Sequence, residues 1–243
     1  MTLPQQLLRL SYDTAKGRLD VASGLVRGPL LRAAAAAELT LGGRLHTAGG
    51  RVERTPGATG PDDPFLADVL AAVPPERPRN WFRVIDEGFE RAEDAVLAPG
   101  GAVRTVRRRR WGVVPGRGIV ADPAAVHTLR ERVRDAVLGG HDPDRVPIAD
   151  AVLALLAADG HVAVTFGVRE QQRHRDAFRA VAGRVESRLP GFREGTLFAV
   201  AARRAAAAEL RPRARRTSPL RDSSATTLRP QATRVEQYAP RFC

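Results

Sequence analysis

The chain has 243 residues, 43% of them hydrophobic, enough to bury the core of one large domain or two small ones. Its formal net charge is +12, almost all of it from arginine because Lys16 is the sole lysine; this favours anionic partners, although the excess of Arg and Ala also fits a GC-rich coding sequence. No apolar run reaches the roughly 18 residues of a spanning helix, the start MTLPQQLLRLSYD does not read as a signal peptide, and the one cysteine, Cys243, can form no disulfide within the chain, which suits a reducing cytoplasm.

In chain order, Thr2 and Pro4 open a helix carrying Leu3, Leu7, Leu8 and Leu10, and the turn Asp13 to Gly17 ends it. The alanine-rich run Leu30 to Leu41 favours helix and stops at Gly42 and Gly43. Arg44 to Arg54 alternates around Gly49 and Gly50 as a small hairpin, followed by a Pro/Gly-rich loop over Thr55 to Asp63. Helices are expected at Pro64–Val73 and Pro78–Ile85, and from about Glu87 to Leu97.

The stretch Gly101 to Val120 reads GAVRTVRRRRWGVVPGRGIV. Val103, Thr105 and Val106 suit one strand, and Trp111, Val113 and Val114 a second, with the fold-back near Arg108 and Arg109. Such a hairpin presents Arg107, Arg108, Arg109 and Arg110 at its tip beside Trp111. Guanidinium groups bind phosphate through paired hydrogen bonds, and tryptophan favours the boundary between water and lipid. The pattern points to a phosphate-bearing surface, a membrane or a nucleic acid; the competing reading is a solvated charge run.

DPAAVHTLRERVRDAVL then places Val126, Leu129, Val133 and Val137 on one helical face. Ile148–Ala158 reads as a buried helix, Arg169–Ser187 as an amphipathic one and Thr196–Leu210 as a last alanine-rich helix. From 211 to 243 helical periodicity ends, Pro, Ser and Thr become frequent, and the net charge is +6; this tail is expected to be disordered. The fold class is therefore mainly α: one helical domain over 1–210 with a protruding basic hairpin and a disordered basic tail.

The sequence holds no GxxxxGK[ST] loop, GxGxxG, HExxH or CxxC, and the five histidines share no ligand spacing with cysteine or carboxylate. No enzyme, cofactor or metal is expected. A protein binding nucleic acid through the hairpin as a wing is the main alternative to lipid binding, but the expected helix before it carries Glu87, Glu90, Glu93 and Asp94, the wrong sign for facing phosphates. A scaffold that self-associates through the hairpin is the third reading.

Six short motifs, in order, resemble the Golgi phosphoprotein 3 family in its bacterial branch: LPQQLLRLSYDTAKGRL, GPLLRAAAAAELTLGGRL, GATGPDDPFLADVL, PPERPRNWF, GAVRTVRRRRWGVVP and DPAAVHTLRERVRDAVL. The resemblance spans roughly residues 2–210. It implies a mostly helical domain, peripheral at the cytoplasmic face of a membrane, with an anionic phospholipid surface and client proteins as partners. Eukaryotic members recognise phosphatidylinositol 4-phosphate with a tryptophan, an arginine nine residues later and two basic residues before the hairpin. Counted back from Glu38, the arginine falls on Arg32, which otherwise reads as a helix-surface arginine, and the tryptophan on Ser23. The basic positions fall near Glu87 and Glu90, with Arg91 adjacent. The lipid-binding residues so implied are Arg32, Arg91, Arg107, Arg108, Arg109, Arg110 and Trp111. Trp81 is expected in the core.

Overall fold

A computed structural model describes residues 1–97, 104–108 and 116–216, with backbone only for 104–108, 116–120 and 210–216. Among the described residues ten α-helices build one main core, with a small separate cluster of Tyr12, Ala121 and Val126 and three two-stranded antiparallel ribbons at the periphery. The first helix, α1 (Leu3–Leu10), buries Leu3, Leu7, Leu8 and Leu10. Its start is tied twice: the Thr2 amide donates to Gln5 Oε1 (3.1 Å) and the Leu3 amide to Glu38 Oε2 (2.6 Å).

A short hairpin follows, β1 (Tyr12–Asp13) with β2 (Arg18–Leu19). Asp13 closes its turn by accepting from the Ala15 and Lys16 amides. Helix α2 (Arg27–Leu41) is the centre of the domain. Its run Ala33–Ala37 is fully buried because α1, α3 (Pro64–Ala71), α4 (Trp81–Asp86), α5 (Ala92–Val96), α7 (Ile148–Asp159) and α10 (Phe192–Arg216) pack around it. A helix apolar on all sides must be covered on all sides, and alanine lets those neighbours come close.

The Gly-Gly hairpin forms as expected, β3 (Leu45–Ala48) with β4 (Arg51–Arg54), Gly49 and Gly50 both having positive φ. Asp63 caps α3 by accepting from the Phe65 and Leu66 amides. Helix α4 starts at Trp81 under an Asn80 cap, not at Pro78, because Arg79 is drawn into a bridge with Val52. Trp81 is core: it is 2% exposed, its Nε1 donates to the Pro190 carbonyl (2.8 Å), and it meets Phe192 edge to face.

The helix expected from Glu87 to Leu97 is broken. Gly88 takes φ +72, a 3-10 turn covers Phe89–Arg91, and only then does α5 begin. The cause is tertiary: the Phe89 carbonyl packs against Gly28 of α2, where any Cβ would overlap it. The segment over Arg169–Ser187 is also two helices, α8 (Val168–Arg173) and α9 (Arg175–Arg188), parted at His174. On α8, Glu170 is clamped by Arg134 of α6 (Pro123–Leu138), whereas α9 turns Val181, Ala182 and Val185 into the core.

The basic hairpin pairs β5 (Arg104–Arg108) with β6 (Gly116–Val120). The last pair is Arg108↔Gly116, so Arg108 is a paired strand residue and not at the fold-back, and the second strand is Gly116–Val120 in place of the expected Trp111, Val113 and Val114, which lie outside the described residues. At the other end, α10 continues to Arg216, so 211–216 are helical and do not belong to the expected disordered tail. The early and late chain are joined directly: Thr165 Oγ1 donates to the Leu10 carbonyl (2.9 Å) and Arg130 Nη2 to the Tyr12 carbonyl (2.9 Å).

Candidate lipid-binding site

The break at Gly88 shapes a cleft of about 290 Å³ between α3 and α5, lined by Pro64, Phe65, Asp68, Gly88, Arg91, Ala92 and Ala95. Arg32 lies behind it. A Cβ on Gly88 would sit 3.2 Å from Arg32 Nη1 and 3.9 Å from Arg91 Nη2, so the absence of a side chain there lets two guanidinium groups converge. Arg32 is 1% exposed, which excludes the helix-surface reading of this residue. Its Nε donates to the Val84 carbonyl (3.2 Å) and its Nη1 to Asp68 Oδ2 (2.9 Å). Burial pulls the Arg32 guanidinium below its usual range; Asp68 and, at longer range, Glu87 work against that, while Arg91 adds to it.

Arg91 is exposed at the mouth of the cleft. Arg91 lines this space, while Arg32 is buried behind it with its Nη1 taken by Asp68, and Glu87 sits close by. The local charge is near balance, and an incoming anion must displace the Asp68 carboxylate. Glu87 and Glu90 are both exposed.

Ser23, at the position of the family's tryptophan, is buried and has a different task. Its Oγ accepts from Arg27 Nη2 (3.2 Å). Arg27, also buried, pairs through Nη1 with both oxygens of Glu93 (3.2 and 3.3 Å) and donates to the Asp20 carbonyl. Arg27, Asp68 and Gly88 were not singled out by the sequence; the Gly in EGFERAED is the one signal that a helix should break there.

Of the expected lipid-binding residues, the structure brings together Arg32 and Arg91. Arg107 and Arg108 end strand β5. Arg109, Arg110 and Trp111 lie outside the described residues. The ribbon register places Arg107 directly opposite Arg117, and the Cα atoms of β6 approach those of β2 within 8 Å. Among the described residues no helix is long and apolar enough to cross a membrane, and no three His, Cys, Asp or Glu side chains group as metal ligands.

No curated protein matches the chain. A family model described as Golgi phosphoprotein 3 (GPP34) matches residues 3–211. That span begins with α1 and ends within α10, and takes in the central helix, the cleft and the basic ribbon. The chain belongs to the Golgi phosphoprotein 3 family.

Proposed function

We propose that this protein binds anionic phospholipid surfaces peripherally, at the cytoplasmic face of a membrane, through the basic hairpin and the domain face beside it. The observation that carries the reading is the register of β5 and β6. It sets Arg107 opposite Arg117 in a ribbon whose sequence continues into Arg109, Arg110 and Trp111. Like charges directly opposite each other destabilise a strand pair, and an anionic surface offsets that cost. Each basic residue near an anionic leaflet contributes about 1 kcal/mol, so four arginines supply a few kcal/mol. No catalytic step is part of the proposal, and client proteins held at the membrane are its expected partners.

The finer reading is a phosphoinositide of the phosphatidylinositol 4-phosphate type, with its phosphate at Arg32 and Arg91. Family membership supports it. The Asp68–Arg32 ion pair and Glu87 weigh against strong selectivity, because a dianionic headgroup must compete with carboxylates already in place. Nucleic-acid binding, the second reading, is favoured by overall charge and by the order of helices followed by a basic hairpin usable as a wing, but the segment before the ribbon is acidic.

Flotation with vesicles of phosphatidylcholine and phosphatidylglycerol, run beside a DNA shift assay at the same salt, tests the proposal. Binding to the vesicles with no DNA shift is the expected result. A DNA shift without flotation overturns it.

A further inference from the structure

The turn between β2 and α2 presents Val21, Ala22, Gly24 and Leu25 to solvent while Ser23 and Val26 are buried. Val21 is 72% and Leu25 62% exposed, among the most open large apolar side chains of the described residues. They do not sit on a loose loop. The Asp20 carboxylate accepts from the Ala22 and Ser23 amides (3.2 and 3.0 Å). The Gly24 amide donates to the Val21 carbonyl and the Val26 amide to the Ser23 carbonyl. Beneath the turn, buried Arg27 grips the Asp20 carbonyl and the Ser23 hydroxyl and is itself held by Glu93.

The turn thus carries four backbone donors already paired within itself, a rigid base, and four exposed residues, Val21, Ala22, Gly24 and Leu25, none of them charged, beside the half-buried Asp20. A segment that enters lipid needs its backbone groups satisfied internally and its apolar side chains outward. The surroundings specify the solvent on the other side. Arg18 is exposed on the neighbouring β1–β2 hairpin, as is Lys16 in its ion pair with Asp13 (3.0 Å), and β2 lies against β6 of the basic ribbon. Two aliphatic side chains cannot form the roughly 800 Å² per partner of a standard protein interface, but they suit shallow insertion between headgroups.

We infer that Val21 and Leu25 form a second membrane-insertion point, entering the interfacial layer of an anionic bilayer beside the basic hairpin. This rests on the lipid-binding reading above. It divides the work: charge on the ribbon supplies attraction at a distance, and the rigid apolar turn supplies contact that salt does not screen.

The test uses the full chain and vesicles of phosphatidylcholine and phosphatidylglycerol at low and high salt. Val21→Ser with Leu25→Ser should weaken vesicle binding about tenfold, by a similar factor at both salts. A second readout is an environment-sensitive label at Leu25→Cys in a Cys243→Ser background, whose emission should shift to the blue on adding vesicles. Binding by the double variant equal to the parent's, with no shift of the label, overturns the inference; if hairpin variants then still lose binding, the lipid reading itself stands. A parent that fails to bind any vesicle overturns both. A parent dimer that dissociates in the double variant with vesicle binding unchanged assigns the turn to self-association and also overturns it.

Discussion

Asp68 on α3 holds Arg32 on α2 in an ion pair of 2.9 Å whose two ends differ in surroundings: the arginine side chain is 1% exposed and the carboxylate 61%. The guanidinium is committed to the interior, and its counter-charge is delivered from the rim of the cleft. Asp68→Asn keeps the shape and removes the charge. It should cost about 1–2 kcal/mol, less than for a fully buried pair because solvent screens the carboxylate end. Denaturant unfolding measures this, and an unchanged midpoint would show that the pair is not coupled to stability.

Gly28 and Gly183 make a matched comparison. A Cβ on Gly28 would overlap the Phe89 carbonyl, so Gly28→Ala forces α2 away from the Gly88 turn and should destabilise by about 1–3 kcal/mol. Exposed Gly183, inside α9, has open space where a Cβ would stand, with no neighbouring atom within 4 Å, so Gly183→Ala should stabilise by about 0.5–1 kcal/mol. Thermal melts of the two variants should move in opposite directions.

Two glutamates should respond to acid with opposite sign. Hydrogen bonding and charge from Arg134 hold Glu170 below the usual carboxylate range. Its contribution is present above the unfolded value, near 4.3, and is lost as pH falls through its folded value. The stability gap between parent and Glu170→Gln should therefore shrink as pH drops through that window. Burial pushes Glu38 up, against its hydrogen bond from Leu3. The folded state takes that proton first, so the parent should gain on Glu38→Gln as pH falls from the folded value to the unfolded one. Parallel urea titrations across acid pH check both signs.

On the ribbon, charge and insertion separate by salt. Replacing Arg107, Arg108, Arg109 and Arg110 by serine should weaken vesicle binding sharply and flatten its salt dependence, since exposed charges are screened beyond about 8–10 Å. Trp111→Ala should weaken binding at every salt and leave the slope nearly intact. If both variants float as the parent does, the arginine run is only a solvated charge run.

What the sequence made legible was local chemistry. Asp122 and the 3.6-residue spacing of Val126, Leu129, Val133 and Val137 bound α6, and Gly49-Gly50 carried its own turn. The break at Gly88 was not legible in the same way, because ERAEDAV favours helix locally and the override comes from Gly28, far earlier in the chain, through its packing on Phe89. The cleft divides likewise. Arg32 and Arg91 were reached through family motifs, whereas Asp68 reads simply as an acidic residue on the outer face of α3 until its position opposite Arg32 is known. Ser23 looked like a missing aromatic; its hydroxyl is instead part of the support for Arg27.

The bond from Thr165 to the Leu10 carbonyl spans 155 residues of chain. During synthesis at about 5–20 residues per second, α1 leaves the ribosome on the order of ten seconds before the residue that receives it. For that interval Leu3, Leu7, Leu8 and Leu10 have no completed core to enter. The apolar stripe of α1 can settle early against α2, which follows it at once in the chain, but its packing on α7 and its bond from Thr165 close only when the second half of the domain has been made.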